Sequence, residues 1–171
     1  MARQLADQYI EAGCTYDFWL TPSEVPDLAS ATRRGINCVI LAHLFVKDYF
    51  DVHLPAELRC TELYLDDSHL AHDSYEPGSV DPGDLVWFGR ANSSSRDTFR
   101  PDYAPDGNLR NWRQAPVSHV GIALPSSDGT IDVLHAIPGE NVTIWPIERF
   151  AEVPRYEQFR GISKVAIAAV A

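Results

Sequence analysis

The run Arg33-Arg34-Gly35-Ile36-Asn37-Cys38-Val39-Ile40-Leu41-Ala42-His43-Leu44-Phe45-Val46 decides how the chain is read. Gly35 can turn the incoming chain, and Asn37 is a good helix N-cap. After Cys38 the apolar residues Ile40, Leu41, Leu44 and Phe45 recur at helical spacing. This spacing predicts a helix from Cys38 to about Phe50, with the cysteine in its first turn. Unpaired N–H groups and the helix dipole favour an anion there. A thiol in that position loses its proton more readily, and the thiolate is the nucleophile. The same residue also reads as a small apolar side chain packed beneath a helix start, since free cysteine is usually buried.

Upstream, residues 2–12 read as a short helix with Leu5, Tyr9 and Ile10 on one face, ended by Gly13. Cys14 to Leu20 is dense in aromatics. Thr21-Pro22-Ser23 and Val25-Pro26-Asp27 read as turns that offer helix starts. Downstream, Leu54-Pro55 breaks the helical pattern, and a second helical stretch runs from about Ala56 to Leu65. Glu76-Pro77-Gly78 and Asp81-Pro82-Gly83-Asp84 are turn signals, the second feeding the strand formers Leu85-Val86-Trp87-Phe88. Further strands are expected at Ser118–Leu124, Thr130–Ala136, Val142–Ile147 and Ile162–Ile167, with a helical turn near Phe150–Val153. Helices first and consecutive strands later imply an α+β fold, its N-terminal helices packed on a mainly antiparallel sheet. A length of 171 residues suits one core. With no repeat and no internal boundary, residues 1–171 are read as one domain.

The chain carries 14 Lys+Arg against 24 Asp+Glu, a net charge of -10. That balance argues against nucleic-acid partners and anionic membrane surfaces. No apolar run approaches the ~20 residues that span a bilayer. The first residues lack the apolar centre of a signal peptide, and Cys14, Cys38 and Cys60 form neither a disulfide framework nor zinc pairs. A cytoplasmic location is therefore expected.

A nucleophilic cysteine needs a base and a group that orients the base. His119 begins one expected strand and His135 ends the next. If the two strands form a hairpin about Ser126–Gly129, the histidines become neighbours at one end of the sheet. The trio Cys38–His119–His135 would then give nucleophile, proton shuttle and orienting group. The plainer alternative is two unrelated strand histidines.

The order of these features resembles the NlpC family of papain-like cysteine peptidases, best known for cleaving bacterial cell-wall peptides. The resemblance lies in Asn37-Cys38-Val39-Ile40 at the helix start and Leu54-Pro55 after the helix. It continues in Pro82-Gly83-Asp84-Leu85-Val86-Trp87-Phe88, His119-Val120-Gly121-Ile122 and His135-Ala136. Tyr16 resembles a tyrosine whose hydroxyl lies near the nucleophile. The family's usual start is Asp-Cys-Ser-Gly, so Asn37, Val39 and Ile40 depart from it at positions that resemble the substrate pocket. A Gly-Gly pair usual after the tyrosine segment is also absent.

The resemblance implies a papain-like NlpC-type fold and a peptidase or amidase acting through a thioester on Cys38. His119 would be the base and His135 its orienting partner. The Cys38 N–H and the Tyr16 hydroxyl would hold the oxyanion. Asn37, Arg100 and Trp112 are grouped with substrate binding. The expected substrate is a small peptide or amide, cell-wall peptide fragments included, with no metal or organic cofactor and oligomeric state left open. Two alternatives remain: an acyltransferase or amide-forming enzyme using the same thioester, and a non-catalytic binding module of the same fold.

Other residues receive plainer readings. His69 and His72 sit in the polar run Asp66–Asp73, read as a solvated loop rather than a metal site. His43 falls off the thiol's helical face and His53 in a loop. Cys14 and Cys60 are read as packed. Gly89–Pro116 is a long polar excursion with Arg96, Arg100, Arg110 and Arg113, and with Phe99, Tyr103 and Trp112. It is read as a substrate-selecting lid that overhangs Cys38.

Overall fold

The computed structural model describes residues 1–73 and 79–167. Its elements in chain order are helices α1 (Ala2–Glu11), α2 (Leu28–Arg34), α3 (Cys38–Phe50) and α4 (Cys60–Leu65), then strands β1 (Leu70–Asp73), β2 (Leu85–Gly89), β3 (His119–Pro125), β4 (Ile131–Ile137), β5 (Asn141–Pro146) and β6 (Gln158–Val165). A 3-10 helix, Ile147–Glu152, links β5 towards β6. The strands form one antiparallel sheet in the order β1-β6-β2-β3-β4-β5. The fold is thus mixed α+β, with helices first and the sheet after.

The period-2 alternation of the strands divides the core between the two faces of the sheet. Leu85, Trp87, Val120, Ile122, Leu124, Leu134 and Ala136 face the helices and pack with Ile40, Leu41, Leu44 and Phe45 of α3. Val86, Phe88, Ala123, Val133 and Ile137 occupy the opposite face with Trp145, Phe150 and Ile162. α3 is apolar on nearly all sides and crosses the middle of the sheet at β3 and β4. Such burial is consistent with its hydrophobic run and fixes where its first turn lies.

Asn37 fixes that first turn. Its Oδ1 accepts from the Ile40 N–H at 3.0 Å, the predicted cap. Its Nδ2 reaches the carbonyls of Leu20 at 2.8 Å, Asp17 at 3.1 Å and Phe18 at 3.4 Å. One buried amide therefore caps α3 and ties it to the aromatic segment from Cys14 to Leu20. Tyr16 runs beside Ile36 as a parallel bridge, and its N–H donates to Asn141 Oδ1 at 3.0 Å. The start of α3, the aromatic segment and the β4–β5 turn are thereby joined.

Several sequence expectations need correction. The stretch Asp66–Asp73 is not all loop, because Leu70–Asp73 pairs with Ile162–Val165 of β6. Its partner lies about ninety residues away in the chain, so no local pattern announces the strand. The second helical stretch begins at Cys60, not Ala56. The Leu58 carbonyl, which would accept from residue 62 in a helix, accepts instead from His43 Nε2 at 2.8 Å. Leu28–Arg34 is a full helix, capped by Asp27 through Ser30, where only a possible start was read. The last strand begins earlier, at Gln158. The turn read at Glu76-Pro77-Gly78 lies outside the described residues.

The Asn37 geometry makes a direct prediction. Asn37→Asp keeps the cap oxygen but sets a carboxylate against three carbonyl oxygens in a buried site. It should lower unfolding free energy by about 3 kcal/mol in a urea titration. An unchanged midpoint would show that the amide donors contribute nothing.

Candidate active site

The β2–β3 pairing sets Phe88 opposite His119, and the β3–β4 pairing sets Ile122 opposite Leu134. By alternation His119, Gly121, His135 and Val133 share the sheet face away from α3. Extending the register puts Gly121 opposite His135. A Cβ at Gly121 would lie 2.3 Å from Val133 Cγ1 and 3.6 Å from His135 Cβ. A side chain there would collide with Val133 on the neighbouring strand. His119 Nε2 lies 2.9 Å from His135 Nδ1.

Both rings are buried. His135 lies 4.4 Å from the Trp145 ring and 4.7 Å from Phe150, centroid to centroid. Burial first, then His119 and Arg149, push its pKa down to about 2, so it is neutral at ordinary pH. If Nδ1 accepts from His119, the His135 proton sits on Nε2, which has no hydrogen-bond partner among the described residues. It lies among aromatic rings, where weak N–H···π contact is the remaining interaction. His119 is stacked on Tyr156, with centroids 4.2 Å apart and planes at 18°.

Cys38 lies half-buried at the start of α3, beside the start of β3. The neighbouring Cys60 thiol first, and then the His119 imidazole and the Val120 backbone, outweigh burial and hold the Cys38 thiol well below the ordinary range. Cys60 moves oppositely: the adjacent Cys38 first, and burial second, push it well above that range. The two thiols are thus pushed in opposite directions. Cys14 is different again, buried beside Thr32 and raised by burial.

The predicted residues separate into two groups. Cys38, His119 and His135 converge, and Tyr16 joins them. Burial, and next Cys38, raise the Tyr16 hydroxyl, so it remains protonated. The other predicted binding residues are placed differently. Asn37 is 3% exposed and fully occupied in capping and tethering. Val39 and Ile40, 4% and 0% exposed, belong to the core, so these positions, expected at a substrate pocket, form no exposed wall. Arg100 turns back into its own loop, with Nη1 donating to the Asp97 and Phe99 carbonyls at 3.0 and 2.9 Å. Phe99 is buried and cannot close on a ligand. Trp112 is half-exposed, with the Arg90 and Arg113 guanidiniums 5.0 and 4.8 Å from its ring centre.

Residues outside the sequence prediction complete the site. Cys60 was read as packed. Tyr156 lies against His119, and burial, then Cys38, raise it to about 12. Arg155 is exposed in a left-handed conformation, φ +80°, and its carbonyl accepts from the Ser118 hydroxyl. The only sequence signal for this corner is Pro154, which marks a turn before the last strand. His43 is packed on α3 as expected, holding the Leu58 carbonyl two residues before Cys60. His69 turns back on Asp66, and His72 bridges Ser163 and the Asp66 carbonyl. No group of three metal-ligating side chains occurs among the described residues.

No family model matches the chain, and no curated protein matches it.

Two predictions follow from the electrostatics. His135 has an ordinary value of 6.5 but a folded value of about 2. Below 6.5 the unfolded chain binds a proton that the folded one refuses, so stability is complete above that pH and lost as pH falls. The slope should approach 1.4 kcal/mol per pH unit, roughly, between pH 6 and 5. His135→Gln should flatten the slope in urea titrations at those pH values. In the second, Cys60→Ala removes the main donor to Cys38. A hydrogen bond to a charged group contributes about 1.5–3 kcal/mol, so iodoacetamide should alkylate Cys38 at least about tenfold more slowly at pH 6. Cys60→Ser, which keeps a donor, should recover most of the rate.

Proposed function

We propose that this chain is a cysteine hydrolase of papain-like, NlpC-type architecture that cleaves an amide bond through a thioester. The observation that carries this reading is the 2.9 Å His119–His135 imidazole pair, beside a Cys38 thiol that Cys60 and His119 hold well below its ordinary range. A structural histidine pair needs no activated thiol at its end. An activated thiol, a base and an orienting acceptor are the parts of nucleophilic acyl transfer.

In the proposed reaction the Cys38 thiolate attacks the substrate carbonyl. Charge develops on oxygen beside the first turn of α3, where the Cys38 backbone N–H has no intrahelical acceptor. The Tyr16 hydroxyl, kept protonated, is the second donor. His119 delivers a proton to the leaving amine, forming the thioester. It then takes a proton from water for hydrolysis and returns it to the thiolate sulfur as the acyl group leaves. His135 accepts from His119 Nε2 and fixes the ring so that Nδ1 faces the sulfur. Being neutral, it orients the base without removing its charge.

Recognition is read at the rim. Arg155 is exposed one residue from Tyr156, and Arg90 lies over Trp112. Arginines there, in a chain of net charge -10, favour a substrate that carries a carboxylate. A small acidic peptide or amide fits this chemistry.

An activated ester mixed with the protein and quenched in acid should leave an acyl adduct on Cys38, located by peptide mapping. His119→Ala should slow ester turnover by about 10²–10⁴-fold, and His135→Ala by less. An adduct on Cys14 or Cys60, or turnover unaffected by His119→Ala, would overturn the assignment.

A further inference from the structure

The face of the sheet away from α3 carries a hollow that the reaction above does not use. It lies between the 3-10 helix Ile147–Glu152 and the turn that enters β6, and its volume is about 340 Å³. That is the size of a site for a small organic molecule. The lining follows from the strand register. The β2–β6 pairing sets Phe88 opposite Phe159, with ring centres 6.2 Å apart and planes at 66°. Phe150 lies flat on Phe88, 4.0 Å away at 7°. Tyr156 adds a third side, 6.5 Å from Phe150. Phe88 and Phe150 are buried, whereas Tyr156 and Phe159 are only partly covered, so aromatic surface is left for a guest.

Two carboxylates border these rings. With three residues per turn, the 3-10 helix sets Glu148 in line with Ala151, one column along from Phe150. Glu157 lies two residues before Phe159, on the same side of an extended chain. Its Oε1 accepts from the Ala91 N–H at 3.1 Å, but its Oε2 is buried with no hydrogen-bond partner among the described residues. Glu148 is exposed, and among the described residues it makes no hydrogen bond or ion pair. The arginines nearby are engaged elsewhere. Arg149 pairs with Glu140 at 3.7 Å and lies 3.9 Å from the Trp145 ring centre, and Arg90 lies over Trp112. A buried carboxylate oxygen without a donor is costly. A cation held among aromatic rings satisfies that oxygen and the rings together.

We propose that this hollow binds a small organic cation, an ammonium group on an apolar, ring-sized body. The ammonium sits between Glu148 and Glu157, and the body packs on Phe150, Phe159 and Tyr156. The same two charges repel an anionic guest, so the hollow is distinct from the arginine-bearing rim, where a carboxylate is expected. Tyr156 connects the two regions. It lines the hollow, and its ring is stacked on His119 at 4.2 Å, so a bound guest lies one ring away from the base.

The test is isothermal titration calorimetry of the full chain at neutral pH. The probes are 2-phenylethylammonium and, as an anion of similar shape, 3-phenylpropanoate. The ammonium should bind with a Kd of about 1 mM or tighter, and the propanoate should give no saturable heat. Glu148→Gln should weaken the ammonium about tenfold, and so should Glu157→Gln, which keeps the acceptor for Ala91. Ala151→Trp, which fills the hollow from an exposed position, should abolish binding. Cys38→Ala should bind as wild type does, so the site stands even if the cysteine-hydrolase reading fails. Absence of ammonium binding to wild type overturns the proposal, as does equal binding of the propanoate. Unchanged affinity when Glu148→Gln and Glu157→Gln are combined also overturns it. Loss of binding in Cys38→Ala would move the ammonium to the thiol and overturn it too.

Discussion

The side chain of Asn37 is the joint on which the molecule depends. A helix start exposes N–H groups, and a loop of aromatic residues exposes carbonyls. Asn37 serves both, with its oxygen to Ile40 and its nitrogen to Leu20, Asp17 and Phe18. An aspartate could cap but not donate, and a serine could cap but not span. Because Cys38 follows directly, whatever orients Asn37 orients the thiol. Asn37 is therefore tied to the packing of the Cys14–Leu20 segment, not to an exposed pocket.

Around that joint the polar groups are arranged by dryness. His135 lies among Trp145 and Phe150 and remains neutral, so it can only accept or donate one hydrogen bond to His119. Tyr16 and Tyr156 are held protonated by burial and by the thiol beside them. Cys38 alone moves towards the charged form, because Cys60, His119 and Val120 each interact with its sulfur. In a site of low dielectric such contacts matter more than in water. The negative charge is concentrated on one atom.

The long excursion between β2 and β3 is better described as a buttress than as a free lid. A Cβ at Gly89 would lie 2.1 Å from the Pro116 carbonyl oxygen, so the two ends of the excursion close on bare backbone. Inside it, the Ser94 N–H donates to the Gln114 carbonyl, and Tyr103 bridges Leu109. Arg96 and Tyr103 fasten it to α4. Its half-exposed Trp112 lies between the Arg90 and Arg113 guanidiniums.

What the sequence determined by itself is local or periodic. Asn37 before an apolar run specified a capped helix with Cys38 in its first turn. Alternation and the Ser126–Gly129 turn specified the β3–β4 hairpin, and with it the meeting of His119 and His135. Gly121 was legible as part of a motif, though its reason, the close approach of Val133 on the next strand, was not. Tertiary structure decided the rest, because the partners are far apart in the chain. β1 exists only through β6. The helical stretch starts at Cys60, just after a Leu58 carbonyl that is held by His43 of α3. Arg100 is drawn away from the site by carbonyls of its own loop, while Arg155 and Tyr156 arrive from a turn that carries no chemical pattern. Cys60 comes to act on the Cys38 thiol only in the folded chain, because no spacing of cysteines along a sequence encodes how α3 and α4 are set.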